Sequence, residues 1–504
     1  MMNKKITGSI IILLLLVVWG SSYLKSPFYS ESSDGVSIPA TENSESILDL
    51  DTVSAEGRPV KTVNLTAEKT TWKLSDTKSV EAWTYNGTVP GETIRVTEGD
   101  FLQVNLTNEL EVPVSIHWHG VVLPNRMDGV PGLTQDAVQP GETFTYEFVA
   151  NNPGTYWYHS HQNSADQVDM GLYAPLIIEE DDEQYEQDEV FIIDEWAVNQ
   201  NKWDMSNMMG GMMNDGIAGN GEGDTIQMYD TFSVNGKSGT SIESLVMEKG
   251  KTARLRFINA GYQQHQLVFP KGSMEVIAND AEDVIGSRGD SNILEIAPGE
   301  RIDVAFTKQS SDMEVIGENP QVEHAVEMII PVVTKKQDDI GSERLLVSVG
   351  TDTVADGTSY GSAKLIFEDE PKVDVSYEMN LSMGMNMGQG MGFQINGETF
   401  PDTPPIKVSK GDIVKVTMTN NGRMNHPMHL HGHKFQVAEK NDSALKSPVV
   451  KDIIHVKPGE SFTIYFKADN KGQWLFHCHD NNHAEMGMVT IVDYNNVYSP
   501  FQQQ

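Results

Sequence analysis

The segment from Gln473 to Met488, QWLFHCHDNNHAEMGM, contains the only cysteine among the 504 residues of the chain. Cys478 stands between His477 and His479, and a further histidine and a methionine follow it after five and ten residues. One thiolate, imidazoles and a distant thioether are the ligands of a blue-copper electron-transfer centre. The alternative interpretation is a buried free cysteine in a histidine-rich loop, the usual setting of a lone cysteine.

The residues that precede this cysteine predict a β-strand, in which successive side chains point to opposite faces. Cys478 would then face one way, and His477 and His479 would face the other. A single segment could therefore bind one copper ion through its thiolate and two more through the neighbouring imidazoles. Electrons that arrive at the first ion would cross only a few bonds to reach the others.

Two sequence blocks recur three times along the chain and predict three similar domains. The first block is a glycine-containing turn followed by a strand, at 98–108, 249–259 and 410–420. The second is Pro-Gly-Glu followed by alternating apolar residues, and its copies start at 140, 298 and 458. Many short strands between Gly, Pro and Asn turns, with little helical periodicity, are typical of β-sandwiches. The sequence therefore predicts an all-β protein of three consecutive β-sandwich domains.

Histidine pairs occur at matching offsets in the first and last repeats. The glycine of the first block precedes one pair by eighteen residues in both repeats, and the proline of the second block precedes another pair by nineteen. The four pairs are His117 and His119, His159 and His161, His429 and His431, and His477 and His479. Each pair would place both imidazoles on one face of a strand. Eight imidazoles from two domains can converge only at the interface between those domains.

The three repeats differ in their other candidate ligands. The first domain has Ser160 where the last has Cys478, and Val114 where the last has His426. It therefore keeps the paired histidines and lacks the thiolate. The middle domain has Val268 near the place of the first pair, so we expect it to bind no copper of this kind.

These histidine motifs resemble those of the three-domain multicopper oxidases. The matching motifs are HWHG at His117, HSH at His159, HPMHLHGH at His426 and HCHDNNHAEMGM at His477, and the resemblance covers nearly everything after Val60. It implies three cupredoxin-like Greek-key domains. It also implies a type 1 copper in the third domain and a trinuclear copper cluster between the first and third domains.

The resemblance implies four copper ions, and the motifs assign their ligands. The type 1 ligands are His426, Cys478, His483 and Met488, and the type 2 ligands are His117 and His429. One type 3 copper has His119, His159 and His479, and the other has His161, His431 and His477. In this family the type 1 copper accepts one electron at a time, the thiolate passes each electron on, and four electrons convert dioxygen to water.

The chemistry also needs proton donors near the trinuclear cluster. Asp128, eleven residues after His117, resembles the family's acid near the type 2 copper. The family often has a second acid directly after the last type 1 histidine, where this chain has Ala484. Glu485 follows one residue later, and it is either a shifted proton donor or a surface carboxylate.

Composition excludes some classes of partner. The chain has 36 Lys and Arg against 72 Asp and Glu, which gives a formal net charge of −36. Such a surface repels nucleic acid and anionic lipid headgroups and favours cationic or neutral partners. A hydrophobic content of 38% is that of a globular protein. We interpret the chain as a monomer that binds no nucleic acid.

The N-terminal residues predict export. Lys4 and Lys5 precede the apolar run Ile10–Trp19, and small residues follow that run. This pattern predicts an export signal over 1–25 and an extracellular or periplasmic protein. An uncleaved anchor on the outer face of the plasma membrane is the alternative. The remaining predicted segments are a flexible acidic, Ser-rich spacer at 26–56 and domains at 57–180, 185–368 and 371–495.

Two methionine-dense segments indicate the reductant. They contain Met205, Met208, Met209, Met212 and Met213, and then Met379, Met383, Met385, Met387 and Met391. Thioethers are soft ligands that suit Cu(I), so we interpret both segments as exposed loops that handle copper. The alternative is methionine as an adaptable core filler. The predicted function is oxidation of Cu(I) in copper tolerance. The alternatives are laccase-like oxidation of phenols or aromatic amines, oxidation of Fe(II) or Mn(II), and copper storage without turnover.

Overall fold

The computed structural model describes residues 44–50, 53–180, 185–198, 229–285, 291–311, 313–318, 327–335, 353–386 and 390–502. Within these residues the chain forms three β-sandwiches in chain order, each built from two sheets. The predicted all-β, three-sandwich fold class is confirmed.

The first sandwich packs one four-stranded sheet on another. Its strands, preceded by the short β1 (Glu45–Ser46), are β2 (Val60–Lys73), β3 (Ser79–Tyr85), β4 (Ile94–Thr97), β5 (Phe101–Asn108), β6 (His117–His119), β7 (Thr143–Val149), β8 (Gly154–His159) and β9 (Tyr173–Glu179). The strand orders are β3-β2-β5-β7 and β4-β9-β8-β6. Alternation determines which side chains enter the core: Leu102, Val104 and Leu106 of β5 are buried, and the residues between them are partly exposed.

The second sandwich has two six-stranded sheets. Its strands are β10 (Asp188–Trp196), β11 (Thr231–Val234), β12 (Leu245–Val246), β13 (Thr252–Asn259), β14 (His265–Val268), β15 (Met274–Asn279), β16 (Glu282–Asp283), β17 (Ile293–Ile296), β18 (Arg301–Thr307), β19 (Glu314–Glu318), β20 (Ile330–Val333) and β21 (Val354–Ala355). The orders are β11-β10-β13-β18-β15-β16 and β12-β20-β19-β14-β17-β21. Phe257, Leu294 and Phe306 lie in its apolar core.

The third sandwich contains the cysteine. Its strands are β22 (Val375–Asn386), β23 (Gly390–Ile395), β24 (Ile406–Val408), β25 (Ile413–Asn420), β26 (His426–Leu430), β27 (Phe435–Lys440), β28 (Ser443–Lys451), β29 (Ile453–Val456), β30 (Ser461–Lys467), β31 (Gln473–Cys478), β32 (Val489–Tyr494) and β33 (Val497–Tyr498). The orders are β23-β22-β25-β30-β27-β28 and β24-β32-β31-β26-β29. Cys478 belongs to the apolar core between these sheets.

The two repeated sequence blocks form neighbouring strands in every domain. The first block gives β5, β13 and β25, and the second gives β7, β18 and β30. In each domain the first-block strand pairs in parallel with an earlier strand and antiparallel with the second-block strand. The sequence repeat is therefore a repeat of sheet topology.

In the part of the chain that the structure describes, the two α-helices are short. They are α1 (Ser164–Asp169) and α2 (Asn481–Glu485), and single 3-10 turns occur at Asn125–Met127 and Gly239–Ser241. The Asp480 carboxylate accepts from the backbone N–H groups of Asn482 and His483, which caps α2 directly after β31. Among the described residues, no helix has the length and apolar character needed to cross a membrane.

Residues 44–50 differ from the flexible spacer that the sequence predicts over 26–56. β1 pairs in parallel with β33, and the Lys471 Nζ lies 2.7 Å from a Glu45 carboxylate oxygen. Ile47 and Leu50 are buried in the core of the third sandwich. The segment that precedes the first domain therefore packs on the third, because two of its three apolar side chains enter the core of that domain.

We predict that Ile47→Asp destabilises the third sandwich by about 3 kcal/mol, because it places an unpaired charge in an apolar core. The measurement is the calorimetric unfolding midpoint of the purified protein. Leu48→Asp is the matched control, since Leu48 is 45% exposed and should tolerate the charge. Equal midpoints for the two variants would contradict the docking of this segment.

Candidate metal centres

The first cluster lies inside the third sandwich and joins Cys478 to two histidines. His426 begins β26, Cys478 ends the adjacent β31, and His483 lies in α2. The Cys478 Sγ is 3.8 Å from the His426 Nδ1 and 3.6 Å from the His483 Nδ1, and those two nitrogens are 3.2 Å apart. Met488 is also buried here, and its carbonyl accepts from the Cys478 backbone N–H.

The electrostatics of this cluster suit a soft metal ion. Burial lowers the pKa of His483 to about 3 and also lowers the pKa of His426, which favours the neutral imidazoles that bind metal ions. Burial also raises the pKa of the Cys478 thiol. Two neutral imidazoles and a sulfur on three corners of a small triangle fit a trigonal copper site.

The second cluster contains all eight histidines of the four pairs, at the interface between the first and third sandwiches. β6 pairs antiparallel with β8, which places His117 opposite His159. β26 pairs antiparallel with β31, which places His429 opposite His477. The two domains therefore present their pairs in the same register. The His431 Nε2 lies 2.9 Å from the His477 Nε2, and the His119 and His429 rings are stacked at 3.8 Å.

Backbone carbonyls determine which nitrogen of several imidazoles is free. The Nδ1–H groups of His117 and His429 donate to the carbonyls of Asp128 and Asp452, both at 2.8 Å. Those of His159 and His477 donate to the carbonyl of the following residue, at 3.0 and 2.9 Å. A carbonyl can only accept, so Nδ1 bears the proton and Nε2 retains its lone pair.

Most of these lone pairs have no hydrogen-bond partner in the protein. The Nε2 atoms of His117, His159, His161 and His429 are buried without a hydrogen bond, as are both ring nitrogens of His119 and His479. Burial lowers the pKa of His119 to about 3 and that of His477 to about 4, and it also lowers the pKa values of His159, His161, His429 and His479. Neutral, unpartnered imidazole nitrogens in a dry interface fit metal ions.

Several of the eight histidines form overlapping groups whose nitrogen atoms are close enough to share a metal ion. The ligand atoms of His161, His431 and His477 lie within 4.8 Å of one another, and so do those of His117, His429 and His431. The rings of His119, His159 and His479 are 4.8 to 5.9 Å apart. The structure thus brings all eight predicted ligands into one cluster, and their assignment to individual copper ions stays a prediction.

Asp128 lies beside two of the predicted ligands. Its carboxylate accepts from the His431 Nδ1–H at 2.9 Å, while its carbonyl holds His117. Gly129 makes this turn possible: it has a φ of +79°, and a Cβ there would lie 1.7 Å from the Ile116 carbonyl oxygen. The sequence-predicted acid is therefore within contact of both domains' histidines.

Glu485 is partly buried and lines a cavity. The cavity is also lined by His161 and His477, which are predicted type 3 ligands. One Glu485 carboxylate oxygen accepts from the Ala165 backbone N–H at 3.0 Å, and burial raises the pKa of Glu485 to about 7. Position 485 thus reaches the interface although the acid stands one residue later than in the family.

Sequence reasoning missed one residue that contacts the cluster, Asp452, and one that holds it, Arg301. Asp452 holds His429 through its carbonyl, and its carboxylate lies 3.5 Å from the His119 Nε2. Arg301, from the middle domain, pairs with that carboxylate. The detectable signal was Arg301 itself, because the other two copies of the Pro-Gly-Glu block have Thr143 and Ser461 at its position.

Histidines outside the predicted ligand set have other surroundings. His433 contacts the Tyr494 hydroxyl at 2.7 Å and the carbonyl of His431 at 3.1 Å. His265 lies between the carboxylates of Glu195 and Glu318, which raise its pKa to about 10. His324 lies outside the described residues.

The second methionine segment is a β-hairpin and not a loop, and this corrects the sequence interpretation. Met379 of β22 is fully buried in the core of the third sandwich, so it is a core residue. Met383 and Met385 follow on the same face of the strand but are 42% and 75% exposed, because the hairpin extends past the core. Met387 and the first segment, Met205 to Met213, lie outside the described residues.

A Cys-His-His site within one sandwich and eight converging histidines between two sandwiches agree with the resemblance to multicopper oxidases that the sequence motifs indicate. Models of the multicopper oxidase family match residues 66–183, 190–314 and 370–496. Multicopper oxidase MmcO of Mycobacterium tuberculosis is 30% identical over 451 residues, which is 82% of this chain and 83% of that protein. A copper resistance protein A homolog of Pseudomonas syringae pv. tomato is 25% identical over 529 residues, which is 82% and 88%.

The fold agrees with these matches. The crystal structure of Fet3p, described as a multicopper oxidase that functions in iron import, superposes with a TM-score of 0.73 at 24% identity, over 88% of this chain and 93% of that one. The chain belongs to the multicopper oxidase family. It is therefore an oxygen-dependent oxidoreductase with three cupredoxin-like domains, and family membership implies one type 1 copper, one type 2 copper and a type 3 pair.

We predict that Cys478→Ser abolishes the blue absorption and lowers the copper content from four ions to three, because a hydroxyl cannot replace the thiolate as a soft ligand. Dioxygen uptake should fall to background, since electrons then have no entry to the cluster. The measurements are the visible spectrum, metal content and oxygen consumption. Ser160→Ala, at the equivalent position of the first domain, should keep the blue colour; a blue Cys478→Ser protein would contradict the site.

Proposed function

We propose that this protein oxidises Cu(I) with dioxygen outside the cytoplasm and serves copper tolerance. Four Cu(I) ions each lose one electron, and one dioxygen with four protons becomes two waters. Bound copper ions would supply the electron transfer and the reduction of dioxygen. The protein residues bind the reductant, connect the two centres and deliver protons.

The observation that favours Cu(I) is the cover over His483. The Phe393 ring lies on the His483 ring with 3.8 Å between centroids, and His483 is only 2% exposed. Phe393 pairs across the hairpin with Met383, and Met391 pairs with Met385. An aromatic reductant would meet this cover instead of the imidazole edge, whereas a small soft cation meets two exposed thioethers.

The route between the two centres follows β31 in this proposal. His483, Cys478 and Met488 with His426 would hold the type 1 copper. The backbone joins Cys478 directly to His477 and His479, which face the other domain's histidines. This arrangement supports transfer from the thiolate through a few covalent bonds to the type 3 ligands.

Two carboxylates would supply protons. Asp128 contacts His117, a predicted type 2 ligand, and His431, a predicted type 3 ligand. Glu485 lines the cavity shared with His161 and His477 at the type 3 side. Their positions support roles as general acids during the reduction of dioxygen to water.

The setting of the reaction is part of the proposal. The copper resistance protein A homolog supports a role in copper tolerance, and the formal net charge of −36 favours a cationic reductant. Export rests on the signal pattern in residues 1–25, which lie outside the described residues. The proposal also includes a monomeric protein whose N-terminal segment is either cleaved off or kept as a membrane anchor.

We predict that replacing Met383 and Met385 together by Leu raises the KM for Cu(I) about tenfold, equivalent to about 1.4 kcal/mol of lost binding. Phenol oxidation should stay equal or rise, because the change removes only thioethers. The measurement is oxygen uptake with Cu(I) and, separately, with a phenol. Met379→Leu is the matched control, since that methionine is fully buried on the same strand face.

The same assay separates the other candidate functions. Faster turnover of phenols than of Cu(I), with no effect of the two methionines, would identify a laccase-like enzyme. Turnover with Fe(II) or Mn(II) alone would identify a different metal oxidase. A blue protein that consumes no dioxygen with any reductant would be a copper store and would contradict the proposal.

We predict that Glu485→Gln lowers oxygen consumption about a hundredfold, because the amide keeps the contact to Ala165 but cannot give up a proton. Copper content and blue absorption should not change. Glu398→Gln, at an exposed carboxylate of the same domain, is the control. Wild-type turnover in Glu485→Gln would show that Glu485 is not a proton donor.

A further inference from the structure

The middle domain sends a side chain to the interface between the other two. Arg301 begins β18, is fully buried, and donates to both carboxylate oxygens of Asp452 in the third domain, at 2.7 and 2.6 Å. Its Nε donates to the carbonyl of Thr155 on β8 of the first domain at 3.1 Å. One guanidinium therefore joins all three sandwiches, and it does so through a bidentate pair with fixed geometry.

Asp452 is in turn the residue that orients predicted copper ligands. Its carbonyl accepts from the His429 Nδ1–H at 2.8 Å, and its carboxylate lies 3.5 Å from the His119 Nε2. Asp128 makes equivalent hydrogen bonds: its carbonyl accepts from the His117 Nδ1–H, and its carboxylate accepts from the His431 Nδ1–H. The two aspartates thus each contact one histidine of the first domain and one of the third.

Two cationic side chains hold the Asp452 carboxylate in place. The Asp452 carboxylate also accepts from the Lys434 Nζ at 2.7 Å, so two cations determine its position. Space for the arginine pair depends on Gly120 of the HWHG motif: a Cβ there would lie 2.5 Å from an Arg301 nitrogen and 2.6 Å from an Asp452 oxygen. Gly299, two residues before Arg301, approaches the rings of His479 and His119 in the same way.

We propose that Arg301 is a positioning residue for the trinuclear centre, acting through Asp452 on His429 and His119. The copper-free middle domain would then contribute to the chemistry by fixing the ligand geometry of the type 2 copper. The inference rests on the ligand assignment of the proposed function. Residues that orient metal ligands typically change metal affinity by about 10- to 100-fold when they are replaced.

The test is the rate at which a chelator removes type 2 copper from the copper-loaded protein. We expect Arg301→Met to lose the type 2 electron paramagnetic resonance signal about tenfold faster than wild type, with the blue absorption unchanged. Arg301→Lys keeps the charge but not the fork, so its rate should lie between the two. Arg301→Lys provides the same test if Arg301→Met does not fold.

Arg256→Met is the matched control for loss of a buried arginine. Arg256 is 1% exposed and makes its own bidentate pair, with Asp188 at 2.7 and 2.6 Å. We expect this variant to lower the thermal unfolding midpoint but to release type 2 copper within about twofold of the wild-type rate, because its carboxylate partners, Asp188 and Asp303, hold no predicted copper ligand. The double variant Arg301→Met with Asp452→Asn should release it no faster than the faster single variant, because both changes break one linkage.

Two outcomes would overturn this inference and leave the proposed function standing. One is a wild-type rate in both Arg301 variants, and the other is equally fast release from Arg256→Met, which would indicate general destabilisation. In both, the wild-type protein holds four copper ions with a type 2 signal. A wild-type protein that binds only the type 1 copper would instead overturn the ligand assignment, and this inference with it.

Discussion

The structure depends on one constraint, which is the need to satisfy buried imidazole nitrogens at the interface of the first and third sandwiches. Backbone carbonyls occupy the Nδ1–H groups of His117, His159 and His429, and each Nε2 is left buried without a protein partner. An unsatisfied buried polar atom costs about 1–3 kcal/mol. Metal ions remove that cost for several atoms at once, so copper binding and domain association stabilise each other.

The internal repeat explains how one short interface obtains so many ligands. β6 with β8, and β26 with β31, present histidine pairs in the same register from two copies of one sandwich. Facing each other, the copies enclose a symmetric cluster. The symmetry ends at position 478, where a thiol in the last copy replaces the hydroxyl of Ser160 and allows electrons to enter from one side only.

The middle sandwich shows how a repeat without ligands still shapes the site. Its Pro-Gly-Glu turn approaches the histidine rings at Gly299 and continues into Arg301. In the outer copies the corresponding turns have small polar residues, Thr143 and Ser461, at the arginine position. The close approach of backbone and guanidinium excludes water from one side of the cluster, which strengthens the charge interactions there.

The sequence by itself determined the fold class, the four histidine pairs and the cysteine site. Strand alternation shows which face a side chain occupies, and equal offsets in repeated blocks place equivalent residues together. Tertiary structure decided what those local signals do not contain. Met379 and Met383 share a strand face, yet one is core and the other exposed, because only the sheet's extent shows where the core ends. Likewise, the contact of Arg301 with Asp452 joins residues 151 positions apart in different domains, and no local periodicity encodes such a distance.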